Sequence, residues 1–457
     1  SLYMHDNLFN RNHIGIYMEG RSTKNIKCFL ANYANTFDCT CPLNEPIFGQ
    51  DISYVGMWIE DVGGLAIGWP QREGNHFINQ MIGVYSENSS ISILEATFFH
   101  MRDLGSFGGN QTGVGILTKE NSYIYQKGLG KDAASPLSFF DCERYAINSF
   151  NSILHAGYNH IEDCGWGGIR VATNEDQYAR IRNNRIIGAY QNPYFAISVR
   201  KSAFNNDFIS HNDVELDYNT FGALINLHDF YQGVGYTEIS SNVMNLNESN
   251  QVISVFAGIG GDNITVRNND ITVASLGMNG SYFYTAGEDC VYRGNDIDIH
   301  SQYVYGTGLI LKNTQNATIC LNDFNNVGQA IRVEENCMGT VLTENEFNDH
   351  SIGLLMRETG NVQPFLNPQY HYGNRWEGAY LDIGARHEGT SPQLSKFWVN
   401  INQGTGGYPG FYPNSGGTSS VFPINNWFET EDETYSGCFV LPIAGGGNGE
   451  SFMTKII

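Results

Sequence analysis

Ile264-Thr265-Val266-Arg267-Asn268-Asn269-Asp270-Ile271-Thr272-Val273 is the stretch that decides the fold. Apolar residues alternate with polar ones on both sides of Asn269, and β-branched types dominate, which reads as strand, turn, strand. The same frame returns around Asn159, Asn184, Asn212, Asn242, Asn295, Asn322, Asn345 and Asn374, at steps of 23 to 30 residues with a mean of about 27. Three positions before the Asn stand Ile181, Ile209, Ile239, Val266, Tyr292, Ile319 and Leu342. Two positions after it stand Ile161, Ile186, Val214, Met244, Ile271, Ile297, Phe324, Phe347 and Trp376. A fixed period of that size marks a solenoid, in which each repeat is a rung that buries its apolar face only by stacking on the next.

The Asn is expected to take the turn itself, because its short side chain tolerates a left-handed backbone. Stacked Asn amides would also bond from rung to rung. A second alternation follows in each rung: Ile169/Val171, Phe195/Ile197/Val199, Ile225/Leu227, Ile253/Val255, Leu309/Leu311, Ile331/Val333 and Leu354/Met356. Gly168, Gly222, Gly308 and Gly353 open several of these strands. A leucine-rich repeat shares the core spacing, but it needs Leu-dominated positions and a helical return. Here the return is β and the apolar residues are mostly Ile, Val and Phe. The N-x-[I/V/F] plus G-[L/I]-x-[V/L] rungs resemble the right-handed parallel β-helix repeat. The resemblance implies an all-β chain of very low helix content.

Residues 159–376 form the regular part, with the Asn ladder. Residues 1–158 read as the same solenoid with more interruption: Asn7-Leu8-Phe9 with Gly15 to Met18, Asn75-His76-Phe77 with Gly83 to Tyr85, and Ser92, Leu94 and Ala96 to Phe98 with Val114 to Leu117. Thr36 to Gln50 and Gly105 to Thr112 are expected as outer loops. The pattern breaks around Glu358 to Pro368. Residues 377–457, rich in Gly and aromatics, read as an irregular cap or a junction to a further module. Neither end looks like a natural terminus, so the chain is expected to be a segment of a longer protein.

The net charge of −22 and pI near 4.8 argue against nucleic acid and against an anionic membrane surface. No apolar run is long enough to span a bilayer, so no membrane insertion is expected. Nine cysteines over 457 residues is no small disulfide scaffold. Cys142 and Cys164 are candidates for a bridge between adjacent rungs, with buried free thiols as the alternative.

One residue after the ladder Asn, and so pointing outward, come Asp213, Asp270, Asp296, Asp323 and Glu346. The last four sit on consecutive rungs. Carboxylates stacked ~4.8 Å apart would share Ca²⁺, an oxygen-seeking ion, although no cofactor is required. The alternative is a solvated acidic edge partly offset by Arg267 and Arg293. Asp213, Glu215 and Asp217 alternate on one strand, loosely spaced for one ion. His228 and Asp229 are neighbours and point to opposite faces, so they make no dyad by adjacency. His155 and His160 likewise carry no catalytic pattern. For an enzyme on this fold, Glu162 and Asp163, with Arg170, Arg182 and Arg185 nearby, come closest to a carboxylate cluster. The scattered Trp58, Trp69, Trp166, Trp376, Trp398 and Trp427 would stack on sugars if exposed, and otherwise fill core and cap.

Gly373 to Gly378, Phe397-Trp398-Val399, Pro423, Trp427-Phe428-Glu429 and Cys438 resemble the end of β-helix regions in large surface proteins of gliding bacteria that use type IX secretion. That resemblance implies an extracellular or cell-surface location. Its partners would be neighbouring modules, other copies or surface glycans. The expected function is a structural or adhesive shaft. A secreted polysaccharide lyase or hydrolase and a carbohydrate-binding spike are the alternatives, since fold alone does not choose among them.

Overall fold

The computed structural model describes the chain except residues 1, 11, 21–29, 40–52, 69–73, 108–109, 174–176, 189–194, 202–206, 218–221, 229–235, 249–251, 262, 275–278, 287–289, 300–305, 371–372, 401–413, 416–417, 420, 424–426, 432–437 and 439–457. Nearly all regular structure is strand, and the strands coil as a right-handed parallel β-helix. Pro392–Ser395, a single 3₁₀ turn, is the helical element among the described residues.

Each rung contributes one strand to each of three parallel sheets. The first sheet runs from Leu8–Asn10 through His160–Glu162 and Asp270–Val273 to the start of Arg375–His387. The second runs from Ile14–Glu19 through Gly167–Thr173 to Val421–Phe422. The third includes Gly63–Ile67, Ala179–Arg182 and Val341–Thr343. The first sheet therefore stacks about 14 rungs, ~65 Å along the axis at ~4.8 Å each. Pairing in register also continues past residue 376, through Phe397–Asn400 and Phe428–Glu431.

The apolar columns lie inside. Ile181, Ile209, Ile239, Val266 and Tyr292 are fully buried on the third sheet, facing Ile161, Val214, Met244 and Ile271 on the first. In the N-terminal half the first sheet holds aromatic rings instead. Phe9, Phe37, Phe77, Phe98 and Phe139 stack with centroids 4.6 to 4.9 Å apart and planes within 8°. That spacing is the rung spacing, so each ring sits flat on the next. Glycine on the second sheet makes room: a Cβ on Gly83 would come 2.5 Å from the Phe98 ring, and one on Gly115 2.7 Å from Phe139.

The Asn ladder is continuous from Asn159 to Asn374. Asn269 illustrates it. Its Nδ2 donates to Asn295 Oδ1 at 2.9 Å and to the Ile239 carbonyl at 3.0 Å, while its Oδ1 accepts from the amide and side chain of Asn242. Both donors and both acceptor positions are thus filled while the residue is buried, as a buried amide requires. Asn7, Asn35 and Asn75 form a second, shorter ladder. Gln126 closes the long one by exchanging two bonds with Asn159.

Several sequence expectations change. The left-handed backbone belongs not to the ladder Asn but to the residue before it: Tyr158, Asn183, His211, Ser241, Asn268, Gly294, Leu321, Glu344 and Gly373 all have φ between 52° and 67°. The preceding residue reverses the chain with an outward side chain, which frees the Asn to turn its amide along the stack. Thr36–Asp38 is a first-sheet strand carrying Phe37, not the start of an outer loop; the rest of that stretch lies almost wholly outside the described residues. Within Gly105 to Thr112 lies a short antiparallel hairpin, Ser106–Phe107 with Asn110–Gln111. Ile91 and Ile93, rather than Ser92 and Leu94, face the core. A bulge at Gly222/Ala223 sets Phe256 and Gly258, not Ile253 and Val255, level with Ile225 and Leu227. Cys142 and Cys164 are buried free thiols, and burial with the neighbouring Cys164 pushes Cys142 up. Among the described residues a disulfide joins Cys320 to Cys438, fastening Cys438 to the outside of the third sheet. Cys438 N also donates to Glu344.

Candidate functional site

The outward column of the first sheet is formed as the sequence implies. Arg185, Asp213, Val243, Asp270, Asp296, Asp323, Glu346 and Arg375 pair in register on consecutive rungs. Neighbouring polar side chains engage the carboxylates. Asn325 donates to Asp296 at 3.0 Å and Asn348 to Asp323 at 2.8 Å. Arginines close both ends: Arg375 on Glu346 at 2.8 Å, and Arg185 on Asp213 at 3.1 Å and Glu215 at 3.6 Å. Asp270 is held above the usual carboxylate range by partial burial and by Asp296 and Asp298. Asp323 is raised too, chiefly by burial, with the Asn348 bond opposing and Asp296 and Glu346 adding to the rise. Arg267 and Arg293 lie on the third sheet, and the Arg267 guanidinium sits 2.8 Å from Glu238. Among the described residues, no group of three or more His, Cys, Asp or Glu is arranged to hold a metal ion. The side chain of Asp217 and all of Asp229, as well as the side chain of His228, lie outside the described residues.

Glu162 and Asp163 do not converge on a groove. Glu162 lies on the outer face of the first sheet, where its carboxylate is 2.9 Å from His160 Nε2. Asp163 takes the next corner with φ 53°. His160 Nδ1 donates to the Ser135 carbonyl at 3.0 Å, so this histidine fastens the loop before it to the rung. Arg170 is on the second sheet, over the rings of Phe150 and Tyr145. Arg182 and His155 are on the third. The cluster suggested by proximity in sequence is divided among three faces.

Two assemblies escaped the sequence reading. At the corner between first and second sheets, Arg144 bonds Asp103 at 2.7 Å and covers Trp166, while Arg102 bridges Asp141 and Glu143. Thr112 and the Gly105 amide both donate to Asp103, which makes this network the anchor of the Gly105 to Thr112 loop. The other assembly is on the outer face of the second sheet. Trp58 lies between Tyr17 and Tyr85, with Tyr54 beside it. Glu19, Glu60 and Glu87 stack in register next to these rings. Trp58 Nε1 donates to Glu60 at 2.5 Å, and Tyr17 donates to Glu19 and Glu60. The signal was available as an aromatic-x-Glu ending repeated in Tyr17-Met18-Glu19, Trp58-Ile59-Glu60 and Tyr85-Ser86-Glu87.

The remaining tryptophans divide as core and cap. Trp376 and Trp427 are buried, Trp398 stacks on Tyr370 at 4.4 Å, and Trp69 lies outside the described residues. No protein-family model matches the chain, no curated protein matches it, and no solved structure does.

Proposed function

We propose that the chain is a structural or adhesive shaft segment of a large extracellular bacterial surface or appendage protein, of the kind that gliding bacteria export. The observation that carries this reading is the unbroken stack. Sheet pairing in one register direction and amides saturated from rung to rung give a stiff element whose stability grows with each added rung. The Cys320–Cys438 disulfide supports an oxidising compartment, since cytosolic thiols are held reduced. The outward carboxylates of Asp213, Asp296, Asp323 and Glu346 are engaged by Asn and Arg side chains, which suits an acidic, soluble flank. The test is to incubate the purified chain with a panel of acidic and neutral polysaccharides and assay new reducing ends and unsaturated uronates. No turnover, together with rods of ~65 Å or longer in electron micrographs, is the expected result.

A second reading, a secreted polysaccharide lyase or hydrolase, is favoured by the stacked Tyr17, Trp58 and Tyr85 rings beside Glu19, Glu60 and Glu87. Turnover abolished by Glu60→Gln would establish it and remove the shaft reading. Glu162→Gln and Asp163→Asn would leave such turnover intact.

A further inference from the structure

One part of the third sheet's outer face departs from the acidic character of the molecule. The register stacks Tyr125, His155, Arg180 and Phe208 in one column and Lys127, Gly157 and Arg182 in the next. These columns are two residues apart along each strand and therefore share the outward face. Tyr123, His155 and Tyr178 form a row of rings at 5.4 and 5.5 Å, and Arg180 lies over Tyr178 at 5.1 Å. Gly157 stands between Lys127 and Arg182, so the two cations flank a bare stretch of backbone, with their strands roughly 10 Å apart. A shallow, open depression with a volume of about 20 Å³ lies there, lined by Tyr125, Lys127, His155, Gly157, Arg180 and Arg182.

The cations of this depression rest on aromatic rings, Lys127 over Tyr158 at 5.8 Å and Arg180 over Tyr178 and Phe208, rather than on carboxylates. Neighbouring outward arginines are paired, Arg185 with Asp213 and Arg267 with Glu238. Among the described residues Lys127, Arg180 and Arg182 have no carboxylate partner. Three cations without a carboxylate partner among the described residues, on one face of a chain with net charge −22, mark a place for an anion from outside. Burial, then Arg180 and Arg182, push His155 down to about 4. Its ring is neutral at pH 7, with Nε2 3.4 Å from the Tyr178 hydroxyl, and adds no further charge to the face.

We propose that this face binds an anionic polysaccharide, with carboxylate or sulfate groups seated between Lys127 and Arg182 and beside Arg180, and sugar rings lying on Tyr123 and Tyr125. Guanidinium forks match carboxylate and sulfate oxygens, and tyrosines offer a flat apolar surface with a polar tip. The column from Tyr125 to Phe208 follows the rungs for ~14 Å, which favours a repeating polymer over a single small anion. Repulsion from the rest of the molecule grows with a ligand's charge density, and duplex nucleic acid, with one charge per ~1.7 Å of axis, would meet more of it than a polyuronate. A peptide adding as a strand needs a free sheet edge, and these strands are paired on both sides. The proposal goes beyond the shaft reading, because it concerns a lateral face and holds whether the chain spaces, adheres or cleaves.

The experiment is affinity electrophoresis of the whole chain through gels containing polygalacturonate, dextran sulfate or neutral dextran, with single-stranded DNA as a further polyanion. Retention by polygalacturonate, dextran sulfate or both is expected, weakened by added salt, with none by dextran; the tighter of the two shows whether carboxylate or sulfate is preferred. The Lys127→Gln/Arg182→Gln double variant should bind at least about tenfold more weakly at an unchanged melting temperature, and Tyr125→Ala should also weaken binding. Arg185→Gln, which removes a paired cation, should leave retention unaltered. Retention by neither acidic polymer, equal retention by dextran, tighter retention by DNA, or loss as large in Arg185→Gln as in the double variant would each overturn the proposal.

Discussion

Asn269 and Asp270 are adjacent in sequence and opposite in energetic weight. The Asn is buried, with donors and acceptors all engaged by two neighbouring rungs; the Asp carboxylate is outward and crowded by like charge. Asn269→Leu strands the partners of Asn242 and Asn295 without water, at about 1–3 kcal/mol for each buried group left unmade. Asp270→Ala should change stability by about 0.5 kcal/mol or less. Thermal melts that gave equal losses would show the ladder to be dispensable. His350 and His387, both nearly inaccessible, are pushed down to about 4 chiefly by burial, and His387 Nδ1 accepts from the Gly389 amide as a neutral ring does. A group whose folded pKa is lowered stays neutral in the native state while the unfolded chain takes up the proton near pH 6.5. These histidines therefore contribute full stability above about pH 6.5 and lose it progressively as the pH falls toward 4. Asp270 and Asp323, raised rather than lowered, act in the opposite direction over the acid range. The melting temperature should drop between pH 7 and pH 4.5, and His387→Gln should flatten that drop.

At the scale of the element, the five-ring phenylalanine stack depends on residues from a different sheet. Gly83 and Gly115 leave the volume that the Phe98 and Phe139 rings occupy, and a methyl at Gly115 would also meet the Ala146 carbonyl at 2.7 Å. Backbone cannot step aside as a flexible side chain would, so Gly115→Ala should cost about 1–3 kcal/mol. Phe139→Ile, which restores the pairing found at Ile161, should recover part of that loss in the double variant. Additive losses in a double-mutant cycle would show that the glycine and the ring do not share the site. Phe9, Phe77 and Phe98 were legible in the rung frame, whereas Phe37 fell in a stretch that reads as an outer loop and Phe139 carried no such signal. The Gly-for-Phe dependence was not legible, because it joins positions on different rungs, Gly115 on one and Phe139 on the next.

For the whole molecule, the Cys320–Cys438 disulfide ties two parts of the chain far apart in sequence. Cys320 and Cys438 are 118 residues apart in sequence, and the bond ties Cys438 to the third sheet. Cys438→Ser should release that tie, so limited proteolysis should cleave beyond residue 431 sooner in the variant than in the parent. The melting of the N-terminal rungs should not change, since a solenoid's rungs depend on their nearest neighbours. A loss of cooperative melting throughout would mean that the cap controls the entire stack. The carboxylates of the first sheet belong to this scale as well. Their vertical order follows from the period, but Arg375 and Arg185 close the two ends only because the chain continues in register beyond them.

The sequence by itself determined the period, the inward columns, the amide ladder and the alignment of Asp270, Asp296, Asp323 and Glu346, because each of these repeats along one chain at a fixed offset. It misplaced the left-handed residue by one position, since Asn tolerates that conformation wherever it occurs and only the hydrogen-bond geometry shows that Asn268, not Asn269, adopts it. The tertiary structure alone decided which loops contain strands, which cysteines bond, and which charged groups meet. Glu162, Arg170 and Arg182 are near in sequence yet belong to three sheets that face apart, while Lys127, Gly157 and Arg182 are distant in sequence yet stand in one row. In a coil of three sheets, side-chain proximity is set by the register between rungs, and variable loops hide that register until the strands are paired.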